Sequence, residues 1–237
     1  MSITTKKPII IIVDGLIGAG KTTTINLLEQ AFNDQGIKAK AIFEPVDVWQ
    51  NTGALAHFYK DIPQNCYEFQ TFTFVTRIQR VNEQIKDDSD IEIYLLERSI
   101  FSDRYIFVEM LREQFGEIRM AMYETWWDEW SKLMKVKPDL FMLLDTDVEH
   151  SMERLEVRNR DGETKGGVSR EYQEKLRETH LKFYRYGLSD MGYKHPIIIT
   201  SDTMNQNFLN NFKHPTIQKI KYRIMNCFNY PFTHVIT

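Results

Sequence analysis

Gly15-Leu16-Ile17-Gly18-Ala19-Gly20-Lys21-Thr22 follows the apolar run Ile9-Ile10-Ile11-Ile12-Val13, with Asp14 between them. A short, continuous apolar run of this kind reads as a strand buried on both faces. The octet has the spacing G-x-x-x-x-G-K-T. Between a strand and a helix, that pattern forms a phosphate-binding loop. Its glycines let backbone N–H groups turn inward around an anion. The helix expected from Lys21 adds the positive end of its dipole. Lys21 would reach the β- and γ-phosphates of a nucleotide, and the Thr22 hydroxyl would ligate Mg²⁺.

Working outward, four further apolar runs at 37–43, 91–97, 139–145 and 196–200 join the first at 8–14. Helical patterns at 21–33, 66–86, 102–134, 148–158 and 170–188 lie between them. Strand–helix alternation predicts an α/β fold with a five-stranded parallel, doubly wound sheet. Ligands of such sheets bind outside the carboxyl ends of the strands. That rule singles out Glu44-Pro45-Val46, Glu97-Arg98-Ser99, Asp145-Thr146-Asp147 and Ser201-Asp202 beside the glycine loop. A helix over 217–227 fits the last segment, to which no functional reading attaches.

The chain has 237 residues, enough for one large α/β domain or two small ones; we expect a single domain over 1–237. It is 42% hydrophobic and 27% charged, ordinary for a soluble globular protein. A net charge of −3 supplies no strong field to recruit nucleic acid or an anionic membrane. No apolar run approaches the ~20 residues that span a bilayer. Few residues precede the first strand, which leaves no room for a targeting peptide and predicts a cytoplasmic protein. Cys66 and Cys227 read as free thiols of a reducing compartment, without metal-ligand spacing.

Phosphoryl transfer to a hydroxyl needs a base near the acceptor, cations around the moving group and a pocket holding the acceptor in line. Glu44 is the candidate base, because Pro45 ends its strand abruptly and leaves the carboxylate at the strand's carboxyl end. Glu97 and Arg98 can hold each other and still face a phosphate. Arg154 and Arg158 share a helix face (i, i+4), and Arg160 opens the polar, glycine-containing stretch 161–167. Arginines running into such a loop suit a lid that closes over phosphates.

These residues carry a resemblance. The chain resembles the deoxynucleoside kinase family through the loop 15–22, Glu44-Pro45-Val46 with Trp49, Tyr59, Phe69-Gln70-Thr71, Arg77, the run Glu97 to Phe107, and Arg154, Arg158, Arg160 with Glu163. The match runs in order from about residue 8 to about residue 208. It implies a P-loop kinase fold with an arginine-bearing lid over about 154–170. It also implies ATP or another NTP as donor, Mg²⁺, a deoxynucleoside as acceptor, and a homodimer.

Position by position, the resemblance makes Glu44 the base for the 5′-hydroxyl. Arg98 steadies that region, and Glu97 with Thr22 serves the metal. Gly15, Gly18, Ala19, Gly20, Lys21, Thr22 and Thr23 would hold the donor phosphates together with Arg154, Arg158 and Arg160. Tyr59 and Glu163 would hold the sugar 3′-hydroxyl, with Glu171 as a competitor because the lid is longer than in vertebrate relatives. Gln70 would pair with the base, Trp49 and Phe107 would line it, and the segment from Asp202 to Phe208 would lie near the donor adenine.

Arg77 and Asp103 align with a pair that deoxycytidine and deoxyguanosine kinases keep and thymidine-accepting relatives lack. A carboxylate accepts from an exocyclic amine but opposes a carbonyl. An unpaired buried polar contact costs about 1–3 kcal/mol, which gives ~10- to 100-fold discrimination. Deoxycytidine, deoxyadenosine and deoxyguanosine are therefore expected over thymidine. The alternatives are a structural Arg77–Asp103 ion pair, or Asp103 bound to Arg104. Tyr123, Trp126, Trp127 and Trp130 form one helical face, read either as a subunit interface or as packing on the preceding helix.

Overall fold

In the computed structural model, which describes residues 7–86, 90–160, 163, 167–200 and 211–228, the five apolar runs become five strands of one sheet. They are β1 (Ile9–Gly15), β2 (Ala39–Ile42), β3 (Ile93–Glu97), β4 (Leu140–Leu144) and β5 (Ile197–Ile199). The order is β2-β3-β1-β4-β5, and every pairing is parallel. The chain builds one side of β1 first and then crosses to the other, so β1 sits where the connections change direction. That is the position at which parallel sheets open a ligand crevice. The register places Val13 beside Glu97 and Gly15 beside Leu144, so the loops after β1, β3 and β4 leave from one edge.

The alternation within β1 sorts the core into two layers. Ile11 and Val13 join Ile25, Leu28 and Phe32 of α1 (Lys21–Asn33) and Ile217, Ile220 and Ile224 of α9 (Pro215–Cys227). Ile10 and Ile12 face the opposite layer, with Phe58, Phe69, Tyr123 and Phe141. Burying one such side chain stabilises the fold by about 1.5–3 kcal/mol, an upper value because unfolded chains are themselves partly compact. The C-terminal helix therefore serves the core: it packs on α1 and β5.

α1 and α7 (Val148–Arg158) have the bounds the sequence predicts. α7 stops where Asn159 turns left-handed, φ 45°. Four expectations need correction. Two short helices, α2 (Val46–Asn51) and α3 (Ala54–Lys60), fill a stretch with no predicted element. α4 (Ile62–Gln84) begins ahead of residue 66, because Asp61 accepts from the Gln64 amide and Pro63 suits a first turn.

The expected continuous helix over 102–134 is interrupted. The turn α5 (Ile100–Ser102) runs into a π-helical stretch, Asp103–Val108. α6 (Arg112–Trp130) then kinks at Gly116, φ 67°. Likewise α8 (Arg170–Lys182) passes into a π-turn, Phe183–Gly187, where a Cβ on Gly187 would lie 2.8 Å from the Phe183 ring. Trp127 and Trp130 pack on Phe74 of α4, which supports the packing reading of the tryptophan face.

Candidate active site

A cavity of about 180 Å³ opens at the carboxyl edge of the sheet, and its wall gathers residues from six segments. At one end is the glycine loop. Gly18 adopts φ 86°, and a Cβ there would come within 2.4 Å of the Ser151 carbonyl oxygen on α7. Only glycine allows that approach. Gly20, also at φ 86°, opens α1. Lys21 is buried, and its ammonium donates to the Leu16 carbonyl at 3.0 Å. Burial, and after it the neighbouring Arg98, push the Lys21 ammonium down to about 8 while Glu97 pulls the other way.

Thr22 donates to both Glu97 carboxylate oxygens, at 3.1 and 3.0 Å. Burial raises the Glu97 carboxyl against the pull of Lys21. A hydroxyl and a carboxylate in contact at a phosphate loop form an all-oxygen donor set, the chemistry a hard divalent cation prefers. The residues therefore fit Mg²⁺. Among the described residues, no cluster of three or more histidine, cysteine, aspartate or glutamate side chains offers another metal site.

Glu44 sits between two arginines. Arg77 donates to one carboxylate oxygen, and Arg98 Nε lies 3.4 Å from the other. Burial alone would raise this carboxyl, but Arg77, then Arg98 and Lys21, hold it at about 2. Arg98 is itself buried in a left-handed conformation, φ 60°, unusual for a residue with a Cβ. It donates to the Gly15 carbonyl at 2.8 Å and lies 4.7 Å over the Phe107 ring, while Nη1 has no hydrogen-bond partner among the described residues.

At the other end, Trp49, Tyr59, Gln70, Arg77 and Phe107 all stand in the cavity wall. The Trp49 indole donates to Thr76 at 2.9 Å, which fixes the ring. Asp103 is fully buried behind the wall; one carboxylate oxygen takes Arg77 and Thr73, and the other has no hydrogen-bond partner among the described residues. Its partner is Arg77; Arg104 pairs with Glu124 instead. What faces the cavity is the Arg77 guanidinium, held from behind. Burial pushes the Asp103 carboxyl up to about 6 despite Arg77.

From the lid, Arg158 and Arg160 both bind Glu163, and all three line the cavity. Glu171 is exposed in the first turn of α8 and is not in the wall. Arg154 leans toward the Ala19 carbonyl at 3.4 Å, outside the cavity wall. Asp202 and Phe208 lie outside the described residues. The sequence reading missed Thr73 and Tyr172 in the wall and His180 behind it. His180 is buried with its ring against Phe107, and burial holds it well below the usual imidazole range. Nothing in residue order marks these positions; they are polar side chains on helices whose inward faces only the fold defines.

A parallel sheet, a phosphate loop at its central strand, an arginine-bearing lid and a carboxylate between guanidinium groups define a P-loop phosphotransferase. The deoxynucleoside kinase family model matches residues 11–226, and the chain belongs to that family. It is 26% identical to human deoxycytidine kinase over 233 residues, 88% of each chain. It is 30% identical to the probable deoxycytidine kinase of fowlpox virus, over 72% of this chain and 69% of the relative. Human mitochondrial thymidine kinase 2 is also 30% identical, over 74% of this chain and 64% of the relative. The protein is a deoxynucleoside kinase that uses a nucleotide as phosphate donor.

Proposed function

We propose that this kinase transfers the γ-phosphoryl group of ATP or another NTP to the 5′-hydroxyl of a deoxynucleoside, with deoxycytidine, deoxyadenosine and deoxyguanosine preferred over thymidine. One observation carries the reading: Glu44, held ionised, shares a single cavity with Lys21 at one end and Gln70 and Arg77 at the other. Glu44 accepts the hydroxyl proton. A carboxyl near 2 is a weak base, but in a loose transition state the nucleophile gives up its proton late, so position outweighs basicity. Lys21, Arg98, Arg158 and Arg160 surround the charge that develops on the moving group. Thr22 and Glu97 would hold Mg²⁺, which neutralises donor phosphate charge.

At the base end Gln70 offers a donor and an acceptor together, and Trp49 and Phe107 offer faces to a flat heterocycle. Arg77 presents donors. The second Asp103 carboxylate oxygen, without a hydrogen-bond partner among the described residues, is assigned to the exocyclic amine that cytosine, adenine and guanine carry, whereas a thymine carbonyl would set acceptor against acceptor there. Tyr59 and Glu163 are assigned to the 3′-hydroxyl; the wall position of Glu163 favours it over exposed Glu171. Apolar Ile118 and Met122, exposed on α6, support a homodimer through that helix, which light scattering would measure. Two free cysteines suit a reducing cytoplasm; two of the relatives, a frog deoxyguanosine kinase and human thymidine kinase 2, are mitochondrial. Among the described residues no helix is long and apolar enough to cross a membrane.

The test is a panel of deoxycytidine, deoxyadenosine, deoxyguanosine, thymidine and thymidine monophosphate with ATP·Mg²⁺. Turnover of the first three above thymidine, reduced about 10²- to 10⁴-fold by Glu44→Gln, is expected. Thymidine as best acceptor would overturn the preference, and the monophosphate as sole acceptor would overturn the reading.

A further inference from the structure

The buried aspartate at the end of β1 has no part in the mechanism above. Asp14 is fully buried beside the glycine loop. One carboxylate oxygen accepts from the Ser102 hydroxyl at 2.6 Å, and the other accepts from the Tyr184 hydroxyl at 2.8 Å. The Ser102 oxygen in turn accepts from the Ser99 backbone N–H at 3.0 Å, which closes a capping box on the turn that follows β3. Immediately before Ser99 stands Arg98 in its left-handed conformation. A left-handed residue with a Cβ persists only where its surroundings over-determine it. Here those surroundings are its backbone N–H donating to the Val13 carbonyl, its guanidinium donating to the Gly15 carbonyl, and the capped turn.

We infer that Asp14 is a positioning residue for phosphoryl transfer: through Ser102 and Ser99 it holds the Arg98 turn in its strained form, and through Tyr184 it ties that turn to α8. The inference rests on the transfer reading above. Tyr184 lies in the π-turn at the end of α8, the helix that leaves the lid. The same helix carries Tyr172 in the cavity wall and Gln173, whose amide donates to the Ile17 carbonyl of the phosphate loop at 2.6 Å. One carboxylate thus joins the loop strand, the arginine turn and the lid-following helix. Burial raises its carboxyl against the pull of Arg98, consistent with a bridging rather than a charge-donating role.

The test compares Asp14→Ala, Asp14→Asn and Ser102→Ala. An asparagine keeps the bridge. Its carbonyl accepts from Ser102, its amide donates to Tyr184, and the Tyr184 hydrogen turns to the Met142 carbonyl at 3.2 Å. We expect kcat to fall about 10- to 100-fold in Asp14→Ala and in Ser102→Ala, with KM for ATP nearly unchanged and most of kcat restored in Asp14→Asn. The Asp14→Ala/Ser102→Ala double variant should be no slower than the worse single variant. Wild-type kcat in Ser102→Ala, or additive losses in the double variant, would overturn the proposal. If Asp14→Ala does not fold, Ser102→Ala with Tyr184→Phe gives the same cycle. A crystal structure of Ser102→Ala reads the claim without activity. Arg98 leaving the left-handed region supports it and Arg98 unmoved refutes it, even if the wild type transfers no phosphoryl group.

Discussion

The two ends of the cavity are built from different materials. The phosphate end is made of backbone: loop glycines, the start of α1 and a lysine braced on the Leu16 carbonyl. The base end is made of side chains from α2, α4 and the π-turn after β3: Trp49, Gln70, Arg77, Asp103 and Phe107. Backbone donors recognise any triphosphate alike. Side chains held by other side chains, as Arg77 is held by Asp103, can distinguish one base from another. On the proposed reading, the first end sets whether transfer occurs and the second sets the acceptor.

The largest expected effect is at the phosphate end. Lys21→Met should lower kcat/KM about 10³-fold with every acceptor, measured by coupled ADP release. Selective loss for one acceptor would break the division. Next, Arg77→Met should lower the deoxycytidine-to-thymidine ratio of kcat/KM about 10- to 100-fold. Asp103→Asn is milder: KM for deoxycytidine should rise about 10-fold with kcat nearly constant, since Arg77 keeps Glu44 as a partner.

Smallest is a pH effect. Asp103 titrates near 6, above its ordinary 3.8, so it loses charge as pH falls through about 6. KM for deoxycytidine should rise over that interval in the wild type and stay flat in Asp103→Asn. Stability runs the opposite way. Between about 3.8 and 6 the folded state binds the proton more tightly than the unfolded chain, so this group's cost to folding diminishes as pH falls through 6. Urea denaturation at pH 7 and pH 5, wild type against Asp103→Asn, measures it.

The same contrast explains what residue order could tell. The five strands, α1, α7 and the whole phosphate loop were legible because backbone structure leaves local marks: apolar runs, glycines at fixed offsets, a lysine after them. α2 and α3 were not, because six- and seven-residue helices capped by Pro45 and Gly53 show too few turns for a period. The base end became legible only through a family resemblance, which named Arg77 and Asp103; their pairing, and the burial of Asp103 behind Arg77, came from the fold. Asp14 read as the last residue of a strand. Its two hydroxyl partners lie 88 and 170 positions away, beyond any local pattern.

The most direct test of this division is kcat/KM for deoxycytidine and for thymidine in wild type, Lys21→Met and Arg77→Met. The account predicts that Lys21→Met lowers both values and leaves their ratio intact, while Arg77→Met collapses the ratio. A ratio that moves with Lys21, or that survives Arg77→Met, would contradict it.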